Sequence, residues 1–501
     1  MTRTIAIIGA GFGGLSTAKV FREFGFDVTV FEKDAEVGGV WTASRRYPGL
    51  TTQNVRSTYA LTDYPYPKGY PEWPSGQQVQ QYLEGYVDHF DLRGCINLKS
   101  EVTHASLDEA SGTWTLDVTS SGAQSTRTFD YLVVCNGIFS DPAVPAFSGQ
   151  DEFIAGGGRI LHTVDFHDVQ DVRGKSVVVV GFGKSSCDVA NATVGISAST
   201  TIVARKIIWK IPKKFKNVLN YKMLLLTRMG EALFPYIELK GFEKWFHAGG
   251  NKLRVSMLGS VQSVVTSQFS LDDPKVNLNP HNSLETITRS TVSLASDGFF
   301  DKVKSGQITV KRECEIVSMA AGQVTLSTGE TIPADYVICG TGFHQRVPFL
   351  DDAILERITD DRGNFELYRQ LLPVDVPNLA FNGYNSSFFS QLNCEMGALW
   401  LAAYLLGDIT LPSTQDQLDH IAKRLAWMEK RTEGKHARGT NIIPFSIHNV
   451  DELLSDLRVG VGGFTRFNEW LLPINPKNYA KLTRTVVSRN AAKVSANSAA
   501  T

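Results

Sequence analysis

Cysteine is scarce and poorly placed for redox or metal chemistry. The six in 501 residues are Cys95, Cys135, Cys187, Cys314, Cys339 and Cys394, and no two form a CxxC pair. Neither a redox dithiol nor a zinc site is expected. Several stand inside apolar runs such as "YLVVCNG" and "YVICGTG", where a thiol packs as a small hydrophobe. Net charge is lacking too. Fifty Lys+Arg against 51 Asp+Glu leave −1, so no nucleic-acid partner is implied; basic clusters such as "KIPKKFK", Lys210 to Lys216, are short. No apolar run reaches the roughly 18 residues of a membrane span. The first strand-like run begins at Thr4, which leaves no room for a signal peptide. A cytoplasmic setting is the expectation. What is present, 43% hydrophobic and 20% charged residues, is ordinary for a globular chain of roughly two to four domains.

The glycines are better placed. "TIAIIGAG" reads as a short apolar strand, and Gly9, Gly11 and Gly14 follow as GxGxxG. The first glycine makes the tight turn. The second lets a pyrophosphate approach the backbone, and the third lets the next helix pack on the strand. A helix, "LSTAKVFREFG", and a second strand, "DVTVFEKD", complete the unit. Glu32 closes that strand about 20 residues past the turn, where an acid bonds a ribose hydroxyl. "EVGGVW" then reads as a loop against a flat ring system, with Trp41 either on that ring or a plain core aromatic.

About 170 residues later the pattern repeats. "SVVVVGFGKSS" gives GxGxxS with Gly181, Gly183 and Ser186, the serine loosening the helix–strand contact while keeping the phosphate cradle. The next strand, "TTIVARK", ends in Arg205 and Lys206 where the first unit has Glu32. A cation there suits a 2′-phosphate, with a solvated surface charge as the alternative. Two such units in one chain fit FAD in the first and NADPH, as hydride donor, in the second.

With these stretches the chain resembles the flavin-containing monooxygenases, class B flavin-dependent enzymes with two dinucleotide sites. The resemblance runs from about Thr4 to Pro412. It is carried by "GAGFGGLSTA…FEKDAEVGGVW", "YPGLTTQNVRSTYALTDYPYP", "VVVCNGIFSDPAVPAF", "GGRILHTVDF", "GFGKSSCDVA", "VARKIIWKIP", "YVICGTGF" and "NLAFNGYNSSFFSQLNCEMGALWLAAYLLGD". It implies two Rossmann-like domains, the NADPH domain inserted into a discontinuous FAD domain. The FAD domain would span 1–147 and 330–470 and the NADPH domain 150–329. A helical insertion occupies about 211–262, and a C-terminal extension, 471–501, ends in a disordered tail. The resemblance places FAD on Gly9, Gly11, Phe12, Gly13, Gly14, Glu32 and Lys33. It adds Gly39, Val40, Trp41, Thr52, Gln53, Val102, Asn136, Gly137, Gly342 and Phe343. It places NADPH on Gly181, Gly183, Lys184, Ser185, Ser186, Arg205 and Lys206. Gln53 or its neighbour Asn54 is the candidate catalytic residue, bonding the peroxyflavin or the nicotinamide ribose.

The implied reaction is NADPH- and O2-dependent oxygenation of an amine nitrogen or a sulfide sulfur of a small molecule, through a C4a-hydroperoxyflavin. Such an electrophile needs no acid–base triad, and none is evident in the sequence. The family signature retains Gly158, His162 and Phe166, but Phe153 stands further upstream than in other members. His162 is expected to organise the linker rather than exchange protons. The sister Baeyer–Villiger enzymes carry Trp-Pro where this chain has Phe166-His167, and Arg and Asp after YPG where it has "LTTQ". Both departures favour heteroatom oxygenation. A Baeyer–Villiger enzyme and a non-catalytic redox-sensing flavoprotein remain the alternatives; the missing CxxC argues against a disulfide reductase. The insertion reads first as helices roofing the active site, with a dimer interface or a membrane-surface face as other readings.

Overall fold

Two parallel sheets organise the computed structural model, which describes residues 3–289, 293–385, 387–432 and 447–498. The first sheet runs in the order Leu379–Phe381, Tyr131–Val134, Thr4–Ile8, Asp27–Phe31 and Ile96–Asn97. The second runs Thr309–Arg312, Ser199–Ala204, Ser176–Val180, Tyr336–Cys339 and Arg159–His162. Every pairing in both is parallel. Parallel strands are covered on both faces, which is why the central ones are continuous apolar runs. Ile5 to Ile7 and Val177 to Val179 have no solvent exposure. Helix Phe12–Glu23 crosses out of the first central strand and packs against helix Ser390–Leu405. That second helix is buried almost all round, as its apolar run Met396 to Ala403 requires. Each sheet carries a three-stranded antiparallel meander, built from residues 100–129 and 316–333.

Three expectations about boundaries need correction. The sequence returns the chain to the first unit near residue 330, yet Tyr336–Cys339 lies inside the second sheet, between Ser176–Val180 and Arg159–His162. Four apolar residues carry no mark of which sheet they join; their register with Val177 to Val180 decides it. The return follows at Phe343–His344, antiparallel to Asp141–Pro142, so the two crossings between units lie side by side.

The insertion also runs past 262. Helix Asn251–Gln268 follows the short helices Lys222–Leu225, Arg228–Ala232 and Gly241–Phe246. Its first part, around Tyr221, reaches the first unit's 47–54 segment, where the Tyr221 hydroxyl donates to the Gln53 carbonyl at 2.7 Å. Its middle part, through Arg228, Tyr236 and Phe242, docks on the C-terminal helices Thr414–Thr432, Ile447–Asp456 and Gly463–Leu471. Phe242, Trp245, Leu253, Val255 and Met257 remain exposed on it.

The C-terminal extension is helical over Ala480–Arg489, and the end expected to be disordered is helical over Ala491–Ser498; its last three residues lie outside the described ones. The alanines of Ala491–Ser498 favour helix, and the tail is anchored. Asn490 Nδ2 donates to Asp408 at 3.1 Å, and Lys493 Nζ donates to the Leu406 carbonyl at 2.9 Å. Among the described residues no helix is long and apolar enough to cross a membrane.

Candidate functional site

The first glycine turn is shaped by what a side chain would strike. A Cβ on Gly9, whose φ is +107°, would stand 2.5 Å from the Cys135 carbonyl oxygen, and one on Gly14 would stand 1.8 Å from the Gly9 oxygen. Both contacts are forbidden, so strand, turn and helix close on one another. On Gly13 a Cβ would meet the Asn382 oxygen at 3.1 Å. Gly11 differs, because its Cβ would meet nothing nearer than Gly39 Cα at 3.6 Å. The Gly38-Gly39 loop lies across this turn, held by the Gly38 N–H bond to the Ala10 carbonyl at 3.0 Å. Phe12 packs its ring 5.5 Å from Tyr59.

Glu32 is buried at the end of its strand. Its carboxylate accepts from the Ala10 N–H at 2.7 Å and from the Asp34 N–H at 2.9 Å. Burial pushes its pKa up while these two bonds pull it down, and burial dominates. Lys33 and Val40 are exposed. Trp41 is a buried core aromatic, edge-on to Tyr59 at 6.0 Å. Val102 is buried in the core beneath the 100–129 meander, with Leu116 and Val118. Asn136 and Gly137 sit on the first crossing, where Asn136 Nδ2 donates to the Arg346 carbonyl at 2.9 Å and Asn136 Oδ1 accepts from the Tyr384 hydroxyl at 2.5 Å.

The second turn repeats the geometry with one exchange. Gly181, φ +105°, would place a Cβ 2.7 Å from the Gly340 carbonyl oxygen. Ser186 fits where the third glycine stood because Gly340 opposite lacks a side chain; a Cβ there would meet Ser186 Oγ at 2.1 Å. The hydroxyl instead donates to the Gly340 carbonyl at 3.2 Å. The contact is therefore satisfied rather than loosened. Lys184 is drawn along its helix to Asp188 at 2.5 Å, and Ser185 is half-buried. Arg205 ends its strand with its side chain 79% exposed, 3.9 Å from Glu315, and Lys206 beside it is exposed.

Both turns fit a diphosphate. Helices Phe12–Glu23 and Lys184–Thr193 start at glycines with no side-chain cap and no acid in the first turn. Their leading N–H groups and the positive end of each helix dipole are thus available to an anion.

Between the turns lies the segment Tyr47 to Asn54. The Tyr47 hydroxyl donates to Asp188 at 3.3 Å, reaching the second unit. Thr52 Oγ1 donates to the Asn54 carbonyl at 2.7 Å. Gln53 is half-buried, and its Oε1 accepts from the Leu294 N–H at 3.1 Å. Asn54 is fully buried and donates Nδ2 to the Phe388 carbonyl, and among the described residues its Oδ1 has no partner. Gln53 thus joins the two units, while Asn54 holds the unanswered acceptor. His162 has both ring nitrogens on backbone: Nδ1 accepts from the Val164 N–H at 3.3 Å, so Nε2 carries the proton to the Gly342 carbonyl at 3.0 Å. Burial lowers its pKa. Its ring packs edge-on against Phe343 at 4.9 Å, clasping the second crossing.

Sequence reasoning missed Asn382 and Asp188. Asn382 Nδ2 donates to Thr17 Oγ1 at 2.8 Å and to the Cys394 carbonyl at 2.9 Å, holding the first turn's helix from below. The Asn-Gly pair after strand Leu379–Phe381 was its signal. Asp188 gathers Lys184, Ser296 and Tyr47, and nothing local marks it.

The geometry agrees with what known proteins share with this chain. It is 26% identical over 514 residues to the probable flavin-containing monooxygenase 1 of Arabidopsis thaliana, covering 94% of each. It is 24% identical to flavin-containing monooxygenase 3 of Rattus norvegicus, over 86% of this chain and 80% of that one. Among solved structures, S-allyl-L-cysteine S-oxygenase from Allium sativum superimposes with TM-score 0.64 at 19% identity, covering 100% of this chain and 99% of that one. Oxidised steroid monooxygenase bound to NADP gives TM-score 0.67 at 19% identity over 91% and 97%. These two share the fold. Residues 2–461 match the model of the flavin-binding monooxygenase-like family, and with two nucleotide turns joined by a clasped double crossing, the chain belongs to that family.

Proposed function

We propose that the protein is an NADPH- and O2-dependent monooxygenase that oxygenates a nitrogen or sulfur of a small organic substrate. FAD occupies the Gly9–Gly14 turn and NADPH the Gly181–Ser186 turn. Reduced flavin, when bound, supplies the activation of O2. Glu32 offers its carboxylate to the flavin's ribose. Arg205, exposed at its strand end, answers the 2′-phosphate. His162 and the paired crossings hold the units in register, which keeps water from the cleft between them.

The observation that carries this reading is Asn54. From Tyr47 to Asn54 the chain holds no carboxylate and no cation, and its buried polar side chains are neutral: the Thr52 hydroxyl, bonded to the Asn54 carbonyl, and the Asn54 amide, whose oxygen has no partner among the described residues. Such a wall positions reactants and moves no proton of its own. That suits attack by a substrate that is itself the nucleophile.

The test is product analysis with NADPH and O2 on tertiary amines, sulfides and cyclic ketones. The expected products are N-oxides and sulfoxides, one per NADPH consumed. Lactones from the ketones would move the protein to the Baeyer–Villiger group. H2O2 alone would leave a redox-sensing flavoprotein.

A further inference from the structure

Under the second glycine turn lies a buried ammonium. Lys210 opens strand Lys210–Ile211, which pairs parallel with Ser293–Leu294, and the residue is 2% exposed. Its Nζ donates to the Phe182 carbonyl at 2.6 Å and to the Ser293 hydroxyl at 2.8 Å. It also lies 4.8 Å from the centroid of the Phe182 ring. Phe182 is the middle residue of the Gly181–Gly183 turn, so this amine grips the turn by its own carbonyl.

Among the described residues no carboxylate pairs with that amine. Asp188, on the helix that follows the turn, is already held by Lys184, Ser296 and Tyr47. Burying a cation without a counter-ion is costly. Above it the helix Lys184–Thr193 presents an uncapped start free of acids. Cation and amide groups both lack their anion, and one ligand class, a dinucleotide diphosphate, answers both.

Resting on the reading that this turn takes NADPH, we propose that Lys210 is a positioning residue of that site: it fixes the turn and supplies the buried positive charge that the diphosphate balances. The role differs from that of Arg205. Lys210 serves the part common to NADP and NAD, whereas Arg205 serves the 2′-phosphate alone.

A linkage follows. Burial lowers the Lys210 pKa. The titratable groups facing it are Cys187, Lys184 and Asp188, all on the following helix; its contacts in the turn and in the paired strand, Phe182 and Ser293, do not titrate. An arriving diphosphate favours the ammonium and draws its pKa back up. Binding at a pH between the free and the bound Lys210 pKa therefore takes up a proton, and affinity falls as pH rises through the free protein's value.

The experiment is calorimetric titration of NADP⁺ and NAD⁺ into the flavin-loaded protein, from acid to alkaline pH over the range in which it stays folded, at each pH in two buffers of different ionisation heat. Wild type, Lys210→Met, Arg205→Ala and Cys187→Ala are compared. Lys210→Met is expected to weaken both nucleotides by the same factor, on the order of tenfold, and to abolish the proton uptake. Arg205→Ala is expected to weaken NADP⁺ alone. Cys187→Ala is expected to keep the uptake; its loss there would make the thiol the titrating group and overturn the proposal. Unchanged affinity in Lys210→Met, or weaker binding with uptake intact, would also overturn it while Arg205→Ala still discriminates. If neither variant affects either nucleotide, the reading of the turn itself fails. If Lys210→Met does not fold, wild type alone decides, because absence of proton uptake refutes the linkage.

Discussion

Gly11 and Gly14 belong to one motif but answer to different neighbours. Gly14 is required by the protein, since its Cβ would collide with the Gly9 carbonyl at 1.8 Å. Gly11 has room for a Cβ, whose nearest contact of 3.6 Å is ordinary, so its bareness serves something that is not protein. Gly14→Ala is expected to destabilise the fold by about 1–3 kcal/mol or more, as overpacking does. Gly11→Ala is expected to melt close to wild type once flavin is stripped from both, yet to retain less flavin on purification. Equal melting losses in the two variants would erase the distinction. Such residues were legible in the sequence because their determinants sit within one strand–turn–helix. Ser186 was legible only in part: its fit depends on Gly340, which is 154 residues away.

The insertion shows what local reading cannot reach. Arg228 lies 2.7 Å from Asp451 and 3.0 Å from Glu469. His448 is held between Glu231 at 3.3 Å and Glu243 at 2.9 Å. These partners are more than 200 residues apart in the chain, and each alone reads as an ordinary surface charge. The same blindness explains strand Tyr336–Cys339, whose sheet is chosen by partners rather than by composition. Lys210, too, reads as part of a short basic cluster until its pairing with Ser293 buries it. The His448 cluster carries a pH prediction. The two carboxylates overcome burial and raise the His448 pKa to about 10. A raised histidine stabilises the fold fully below its unfolded pKa, near 6.5, and loses that contribution as pH rises through the folded value. His448→Gln should therefore cost about 3–5 kcal/mol near pH 6, as breaking a buried pair does. The gap to wild type should narrow toward pH 10 and above in denaturant titrations. A gap independent of pH would mean that packing, not charge, fixes the insertion to helix Ile447–Asp456.

At the scale of the molecule, two nucleotide units must be held in register while hydride passes between their cofactors. Among the described residues the ties include the paired crossings Asp141–Pro142 and Phe343–His344, His162 on Gly342, Tyr47 on Asp188, Gln53 on Leu294 and Tyr221 on Gln53. Gln53 and Asn54 are adjacent in sequence but divided in task. Gln53 turns its side-chain oxygen to the second unit, whereas Asn54 anchors its nitrogen on Phe388 within the first and, among the described residues, leaves its oxygen unpaired. Gln53→Ala should therefore slow flavin reduction by NADPH, because it loosens the register between donor and acceptor. If Asn54 is the residue that meets the flavin, Asn54→Ala should leave reduction near the wild-type rate and raise the share of NADPH that ends as H2O2, because its buried acceptor is gone. One buried hydrogen bond is worth about 1–3 kcal/mol, so uncoupling should rise roughly tenfold by that arithmetic. Stopped-flow reduction and a peroxide assay separate the two steps. If Gln53→Ala uncouples while Asn54→Ala only slows reduction, the roles are reversed, and the flavin lies against the residue that this structure ties to Leu294.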